Sequence, residues 1–180
     1  KKFTLIGPVK WADERLRYEG FRNALARSNY ECSHETVALG EGKIDAVEYG
    51  RETVERIVGI VERLPKPCGV FCPNAFFGRA VTRACQIANV KIPDQIAVMS
   101  ANFDPILCET SEPPLTAVVP ASTEIGFQGV EMICRLLRGE NVWPRHLMLP
   151  PRRLTVRRST DLLKVGDETV ERALRFMRDA

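Results

Sequence analysis

Long apolar runs are absent from this sequence. No stretch approaches the roughly 20 consecutive apolar residues that span a bilayer, so we expect no membrane partner. Histidine is almost missing, with only His34 and His146, and Cys68 and Cys72 are separated by three residues rather than two. A zinc site is therefore not predicted. The net charge of +3 is too small to imply nucleic-acid binding by itself.

Catalytic motifs are also missing. The sequence has no Gly-x-Ser-x-Gly, no phosphate loop ending in Gly-Lys-Ser/Thr and no dinucleotide fingerprint. A nucleophilic cysteine needs a base within reach, and neither histidine lies at the end of a predicted strand where a ligand would bind. We therefore predict no catalytic residues, no metal and no cofactor. An enzyme that uses Cys72 or Asp104 stays open as an alternative.

The composition is that of an ordinary globular domain. Hydrophobic residues make up 44% and charged residues 27% of 180 residues, which favours one domain with a substantial core. Six cysteines are too few for a disulfide scaffold of this length, and several lie in apolar segments. We expect buried free thiols and a reducing cytoplasm. The chain opens directly on a strand pattern, so we expect a fragment of a longer protein.

Apolar periodicity alternates between strands and helices up to residue 104. This alternation predicts right-handed crossovers, and hence an α/β, doubly wound parallel sheet with helices on both faces. The predicted strands are Phe3–Ile6, Thr36–Leu39, Cys68–Cys72 and Ile96–Ala101, and the predicted helices are Ala12–Ser28, Gly50–Leu64 and a helix capped by Asn74 that ends near Asn89.

The pattern changes after Asp104. A short helical or irregular segment is followed by a strand, an amphipathic helix and two short strands. A last helix, capped by Asp167, has an apolar stripe that needs a partner. The predicted elements are the segment Asp104–Ser111, the strand Leu115–Val119, the helix Ser122–Arg138 capped by Ser122, and the strands His146–Leu149 and Leu154–Arg158.

Five motifs follow one another in an order that resembles the ligand-sensing domain of LacI/GalR-type regulators. They are the helix Asp13–Phe21, the turn Ile92-Pro93-Asp94, the strand Pro113-Pro114-Leu115-Thr116, the helix opening Ile125-Gly126, and Arg157-Arg158-Ser159-Thr160. The resemblance implies a periplasmic-binding-protein-like (type I) fold, in which three crossing strands join two Rossmann-like lobes. It also implies a sensor of a small sugar rather than an enzyme.

The resemblance divides the chain between the two lobes. Residues 3–114 correspond to most of the second lobe, residues 115–145 to a return into the first, and residues 146–160 to a final pass back. Residues 1–160 would thus be a partial ligand-sensing domain that lacks most of the first lobe. The alternative is a periplasmic sugar-binding protein for transport, which has the same lobes.

The end of the chain carries a second set of motifs, which are the segment Pro150–Asp161 and, within a helix from Asp167 to Ala180, Ala173-Leu174-Arg175-Phe176-Met177-Arg178. Together they resemble a sugar-responsive branch of the AraC-type regulators. There, a sensing domain of this kind precedes a C-terminal DNA-binding domain, and residues 161–180 correspond to a linker and the first helix of that domain. The resemblance implies xylose or a related monosaccharide as effector, DNA as a partner through a domain not in this chain, a homodimer, and a cytoplasmic location. Closure of the lobes on the sugar would be coupled to DNA binding.

Ligands of doubly wound sheets bind beyond the carboxyl ends of the parallel strands. Arginine can donate two parallel hydrogen bonds to neighbouring hydroxyls, an amide both donates and accepts, and an aromatic ring offers an apolar face to a sugar. From the resemblance and these chemistries, the candidate sugar-binding residues are Arg15, Asn74, Asn102, Phe103 and Phe76, with Glu41 as a weaker one.

Each candidate also has a purely structural interpretation. Arg15 could be a surface arginine, as we expect of Arg17, Asn74 a plain helix cap, and the phenylalanines core residues. Asn102 stands where many family members have an aspartate, which leaves the identity of the sugar open. A further set of basic residues is predicted to lie on a solvated edge strand. These residues are Arg152, Arg153, Arg157 and Arg158.

Overall fold

The computed structural model describes residues 2–8, 12–38, 46–143, 146–162 and 166–179. Within these ranges the chain forms six strands, six α-helices and one turn of 3-10 helix. In chain order they are β1 (Lys2–Pro8), α1 (Ala12–Ala26), β2 (Cys32–Val37), α2 (Ala46–Arg63), β3 (Cys68–Cys72), α3 (Ala75–Ile87), β4 (Ile96–Ser100), α4 (Pro105–Glu109), β5 (Thr116–Val119), α5 (Ser122–Leu137), β6 (Arg153–Thr155), the 3-10 turn (Arg158–Thr160) and α6 (Glu168–Asp179).

The strands form one sheet in the order β2-β1-β3-β4-β5-β6. The first five are parallel to one another, and β6 runs antiparallel to β5. This arrangement confirms the predicted α/β fold with a mostly parallel sheet. Because the strands are parallel, their carboxyl ends lie along one edge, which is where a ligand site is expected.

One face of the sheet carries the main core. Alternate residues of the central strands, such as Val70 and Val98, are almost fully buried and pack into one cluster with residues of α2 and α3. Phe77 of α3 is the largest fully buried side chain. Burying a side chain of this size stabilises a fold by about 1.5 to 3 kcal/mol relative to leaving it exposed.

Aromatic contacts hold α1 on the opposite face. The ring of Phe21 stacks on that of Phe71 in β3 with centroids 4.7 Å apart, and the ring of Phe3 in β1 meets Phe21 edge to face at 6.4 Å. Tyr18 stacks on His34 of β2 at 4.6 Å. Offset and edge-to-face pairs of this kind stabilise a fold by about 0.5 to 1.5 kcal/mol beyond the area that they bury.

Strands β5 and β6 extend past the end of β4 as a two-stranded ribbon. Only Thr116 and Ala117 of β5 pair with β4, whereas the pairing with β6 continues to Val119. Helix α5 follows, and none of its residues is buried. We refer to residues 118–154 as the arm and to the remainder of the sheet with α1 to α4 as the body.

Three local predictions were wrong. Strand β2 begins at Cys32, not Thr36. The prediction missed its start because Ser33, His34 and Glu35 are polar residues of an edge strand and give no apolar signal. His146–Leu149 lies outside the sheet, and β6 is the short segment 153–155. Ser122 is not a cap: Ala121 holds the N-cap position of α5, without a side-chain hydrogen bond. The predicted caps Asn74 and Asp167 do accept hydrogen bonds from the first backbone N–H groups of α3 and α6.

Each helix of the described residues is too short or too polar to traverse a bilayer.

Candidate ligand-binding site

The ends of β3 and β4 bring two of the predicted residues to the same place. Cys72 and Ser100 are register partners at the carboxyl ends of these neighbouring strands. The backbone N–H of Ala101 donates to the Cys72 carbonyl at 2.8 Å, which continues the pairing by one residue. Asn74 and Asn102 each lie two residues beyond these partners. Two amide side chains therefore follow adjacent strands at one edge of the sheet.

Asn74 is a helix cap, but the cap occupies only part of its side chain. Its Oδ1 accepts a hydrogen bond from the Phe77 backbone N–H at 3.0 Å, which satisfies one of the unpaired donors at the start of α3. That bond fixes the orientation of the amide. Within the described residues, no hydrogen bond involves its Nδ2 group, so a ligand hydroxyl could accept from it.

Asn102 is held by the serine before it. The fully buried Ser100 hydroxyl donates to the Asn102 carbonyl at 2.7 Å and accepts from the Asn102 N–H at 3.2 Å. These two bonds fix the backbone, while the side chain of Asn102 is exposed. An exposed amide on a rigid turn can bind a hydroxyl with little loss of conformational entropy.

The two phenylalanine candidates are both half-buried. Phe76 meets Phe77 edge to face with centroids 5.6 Å apart, and it packs against the core cluster, as Phe103 does. Phe103 directly follows Asn102 and carries the Arg157 guanidinium over its ring at 5.1 Å. Phe103 therefore combines a core contact with a position at the strand end.

Two of the three arginines of α1, Arg15 and Arg17, differ in exposure. The side chain of Arg15 is 74% exposed and pairs with Glu19, one helical turn later, at 3.3 Å. An exposed pair of this kind contributes about 0.3 to 0.5 kcal/mol. Arg17 is half-buried and has an interaction partner. The structure thus leaves Arg15 reaching into solvent and makes Arg17 a second candidate, which sequence reasoning passed over. Glu41 lies outside the described residues.

Arg157 is the residue that the sequence analysis misplaced most clearly. It was grouped with exposed arginines of an edge strand, but its side chain is only 16% exposed. One guanidinium nitrogen donates to the Leu115 carbonyl at 3.2 Å, and another lies 3.5 Å from a Glu109 carboxylate oxygen. No sequence pattern distinguishes Arg157 from Arg158. They differ in exposure because the extended backbone at Arg157 passes into the 3-10 turn that begins at Arg158.

Hydroxyl groups join the start of β5 to the returning chain. The Ser159 hydroxyl donates to the Val98 carbonyl at 2.6 Å and accepts from the Thr116 N–H at 2.8 Å. The Thr116 hydroxyl oxygen accepts from the Arg157 N–H at 2.8 Å and lies 3.1 Å from the Arg157 carbonyl and 2.7 Å from the Thr160 hydroxyl. We call Leu115, Thr116 and residues 157–160 the ribbon root.

The groups that an enzyme would use are engaged or shielded. Cys72 is fully buried, and this burial raises the pKa of its thiol far above the ordinary value, which suppresses the nucleophilic thiolate. Burial also raises the pKa of Cys85 to about 12. Asp104 caps α4 through a hydrogen bond from the Leu107 N–H at 2.8 Å. No cluster of three or more potential metal ligands occurs in the ranges that the structure describes.

A cavity of about 450 Å³ lies at the opposite edge of the sheet, where β1, β3 and β4 begin. Its walls include Phe3, Gly69 and Ala97, with Lys66 and Asp94 at the rim. It contains none of the predicted site residues. The predicted residues Asn74, Asn102 and Phe103 instead follow the carboxyl ends of β3 and β4.

Fold and edge geometry define an α/β binding domain whose polar groups gather at the carboxyl ends of its parallel strands. The chain belongs to the periplasmic-binding-protein-like domain family, whose model matches residues 1–160. This match agrees with the LacI/GalR-type resemblance of the sequence. The AraC-type resemblance of residues 161–180 lies outside it and stays a prediction. The match covers the whole sheet and the ribbon root and stops before α6.

Individual relatives are more distant. The xylose operon regulatory protein of Escherichia coli K12 is 24% identical over 170 residues, which cover 94% of this chain and 42% of that protein. The transcriptional regulator DegA of Bacillus subtilis is 29% identical over 160 residues, covering 88% of this chain and 44% of the relative. The chain thus spans less than half the length of these curated relatives. They are regulators by name and not enzymes, as the sequence analysis predicts.

Solved structures show the same fold. That of the xylose-binding transcription activator xylR superposes with a TM-score of 0.77 at 22% identity, covering 98% of this chain and 46% of the other. The complex of the regulator CelR with cellobiose gives a TM-score of 0.69 at 23% identity, with 88% and 46% covered.

Proposed function

We propose that this chain is the sugar-sensing part of a bacterial transcription regulator. It binds a small sugar beyond the carboxyl ends of β3 and β4, and closure of the first lobe over the sugar changes DNA binding by another domain. The observation that carries this proposal is that Asn74 and Asn102 each lie two residues beyond the register partners Cys72 and Ser100, with Phe103 next to Asn102, in a chain of this family.

The chemistry of this edge suits a neutral, hydroxyl-rich ligand. The amides of Asn74 and Asn102 can each donate to a hydroxyl, Asn102 can also accept, and neither demands a charged ligand. Phe103 and Phe76 offer apolar faces to the C–H side of a sugar ring. Two similar structures are those of a xylose-binding activator and of a regulator in complex with cellobiose, so D-xylose is the first sugar to test.

The rest of the proposal concerns the intact protein. Residues 161–180 would be a linker and the first helix of an AraC-type DNA-binding domain, and the regulator would act in the cytoplasm as a homodimer. A sugar can shift DNA binding only by its differential affinity for the closed and open states, and such couplings are typically about 1 to 3 kcal/mol. The names of the relatives favour this role over that of a transport protein.

Calorimetry on the intact protein tests sugar binding directly. D-xylose, cellobiose and a panel of other pentoses and hexoses are titrated in turn, and at least one is expected to bind with a dissociation constant between about 1 μM and 1 mM. Fluorescence anisotropy with operator DNA, with and without that sugar, then measures the coupling. Absence of binding to every sugar overturns the proposal.

Substitutions locate the site. Asn102→Ala is expected to weaken sugar binding by roughly 2- to 12-fold, because a net hydrogen bond is worth about 0.5 to 1.5 kcal/mol. Asn23→Ala on the exposed surface of α1 is the matched control and should leave binding unchanged. Arg15→Ala tests the predicted arginine, and Arg17→Ala is its comparison. If only Arg17→Ala weakens sugar binding, Arg17 and not Arg15 is the arginine of α1 that contacts the sugar.

A further inference from the structure

Arg157 connects the candidate site to the ribbon root through its side chain. Its guanidinium carbon lies 5.1 Å from the centroid of the Phe103 ring, and the same group donates to the Leu115 carbonyl at 3.2 Å. Phe103 follows the strand end that carries Asn102, whereas Leu115 begins the segment that leaves the sheet. One planar group therefore contacts both places.

The contacts of Arg157 differ in strength. Its partner Glu109 is 65% exposed and 3.5 Å away, so that ion pair contributes little. The stacked ring and the carbonyl are the contacts that need a planar guanidinium, and lysine cannot reproduce both. With only 16% of the side chain exposed, the stacking is also less weakened by water than it would be on an open surface.

The backbone of the same residue holds the ribbon root. The Arg157 N–H donates to the Thr116 hydroxyl oxygen at 2.8 Å, and the Thr116 hydroxyl lies 3.1 Å from the Arg157 carbonyl. Because β5 stops pairing with β4 after Ala117, any movement of the arm relative to the body is anchored at this point. Arg157 is thus fixed to the root by its main chain and to the site by its side chain.

We propose that Arg157 is a positioning residue that holds the Phe103 ring toward the bound sugar and links sugar occupancy to the ribbon root. This inference rests on the proposed function. A sugar in contact with Phe103 restrains the ring, the ring restrains the guanidinium, and the guanidinium restrains Leu115 at the start of the ribbon root. The arm then becomes less mobile at its root when sugar is bound.

A double-substitution cycle on the intact protein measures the link, with D-xylose as the probe, or cellobiose if D-xylose does not bind. Arg157→Lys keeps the charge but loses the planar stack, and Phe103→Leu keeps an apolar side chain but loses the ring. Each is expected to raise the dissociation constant about fivefold. The double variant should be no more than about twofold weaker than either single one, since both remove the same contact. Arg158→Lys, on the exposed neighbour, is the control and should bind as the wild type does.

Hydrogen exchange supplies a readout that lost affinity alone does not change. With sugar at saturation, the amides of Thr116–Val119 should exchange at least about threefold more slowly in the wild type than without sugar. In Arg157→Lys at saturation this slowing should be absent. Phe103→Leu should give the same result, which keeps the test decisive if the arginine variant folds poorly.

The outcomes separate the two proposals. If the wild type binds no sugar, the proposed function falls and this inference falls with it. If it binds sugar but the two substitutions act additively, or either variant retains the slowed exchange, only the role of Arg157 is overturned. An equal loss of affinity in Arg158→Lys also overturns it, because Arg158 is not the residue over the Phe103 ring and the loss would then not depend on that contact.

Discussion

Helices α3 and α5 carry comparable apolar stripes in the sequence, but their surroundings differ. Eight residues of α3 are buried against the sheet and its neighbouring helices, whereas no residue of α5 is buried. The exposed residues of α5 include Phe127, Val130 and Ile133. An amphipathic pattern therefore predicts that a helix has an apolar face, but not that the same segment of chain supplies the partner. The remainder of the proposed first lobe would supply it for α5.

Thiol labelling should show the largest difference between body and arm. Cys72 in β3 is fully buried and Cys134 on α5 is exposed. In the 180-residue chain at pH 8, a disulfide reagent should modify Cys134 at least about 1,000 times faster than Cys72. Cys72 reacts only when the body unfolds, and open states of small domains are populated at about one part in 10³ or less.

The same measurement on the intact protein sharpens the comparison. If the first lobe covers α5 in the intact protein, Cys134 should become protected there. Fast labelling of Cys72 in the folded chain would contradict the burial of β3, and equally fast labelling of Cys134 in both proteins would argue against a covering lobe.

Phenylalanine truncation should separate the two helices in stability. Phe77 is fully buried, and Phe127 is 64% exposed. Phe77→Ala is expected to lower the free energy of unfolding by about 3 to 5 kcal/mol, because it removes buried surface and leaves a cavity. Phe127→Ala should change it by less than about 0.5 kcal/mol. Urea denaturation of the 180-residue chain measures both. A loss above about 1 kcal/mol for Phe127→Ala would show that α5 packs against the body.

Helix glycines offer a third comparison, this time inside the body. A methyl group on Gly78 of α3 would collide with the fully buried side chain of Leu115, whereas nothing lies near Gly59 of α2. Gly78→Ala should therefore destabilise the fold by about 1 to 3 kcal/mol through overpacking. Gly59→Ala should stabilise it by about 0.5 to 1 kcal/mol, because alanine is the better helix former. Thermal unfolding shows whether each variant is stabilised or destabilised. Stabilisation by Gly78→Ala would mean that the Leu115 side chain does not pack against Gly78.

The body was largely predictable from sequence, and the arm was not. Buried parallel strands such as Cys68–Cys72 are continuous apolar runs between turns, and the structure has this strand at the predicted positions. Strand β2 was misplaced because an edge strand has no such run. His146–Leu149 has an extended apolar pattern but no strand beside it, and pairing depends on neighbours distant in sequence.

The candidate site divides in the same way. Strand-end positions follow from topology, so Asn74 and Asn102 could be proposed together from the order of elements. The role of Arg157 could not, because it depends on a turn that directs one arginine inward and leaves its neighbour Arg158 exposed. Residues that join two segments 40 or more positions apart leave no local pattern.

Helix caps give the smallest and most local comparison between body and arm. Asn74 accepts a hydrogen bond at the start of α3, whereas no side chain caps the start of α5, where Ser122 is only the first helical residue. Asn74→Ala should lower the free energy of unfolding by about 1 kcal/mol, within the usual range of about 0.5 to 2 kcal/mol for a lost cap. Ser122→Ala should change it by less than about 0.3 kcal/mol, because it removes no hydrogen bond to the helix. Urea denaturation measures the free energy of unfolding of both variants and of a third, Asn74→Asp, which restores an accepting oxygen at the cap. If Ser122→Ala costs as much as Asn74→Ala, the serine caps α5 in solution.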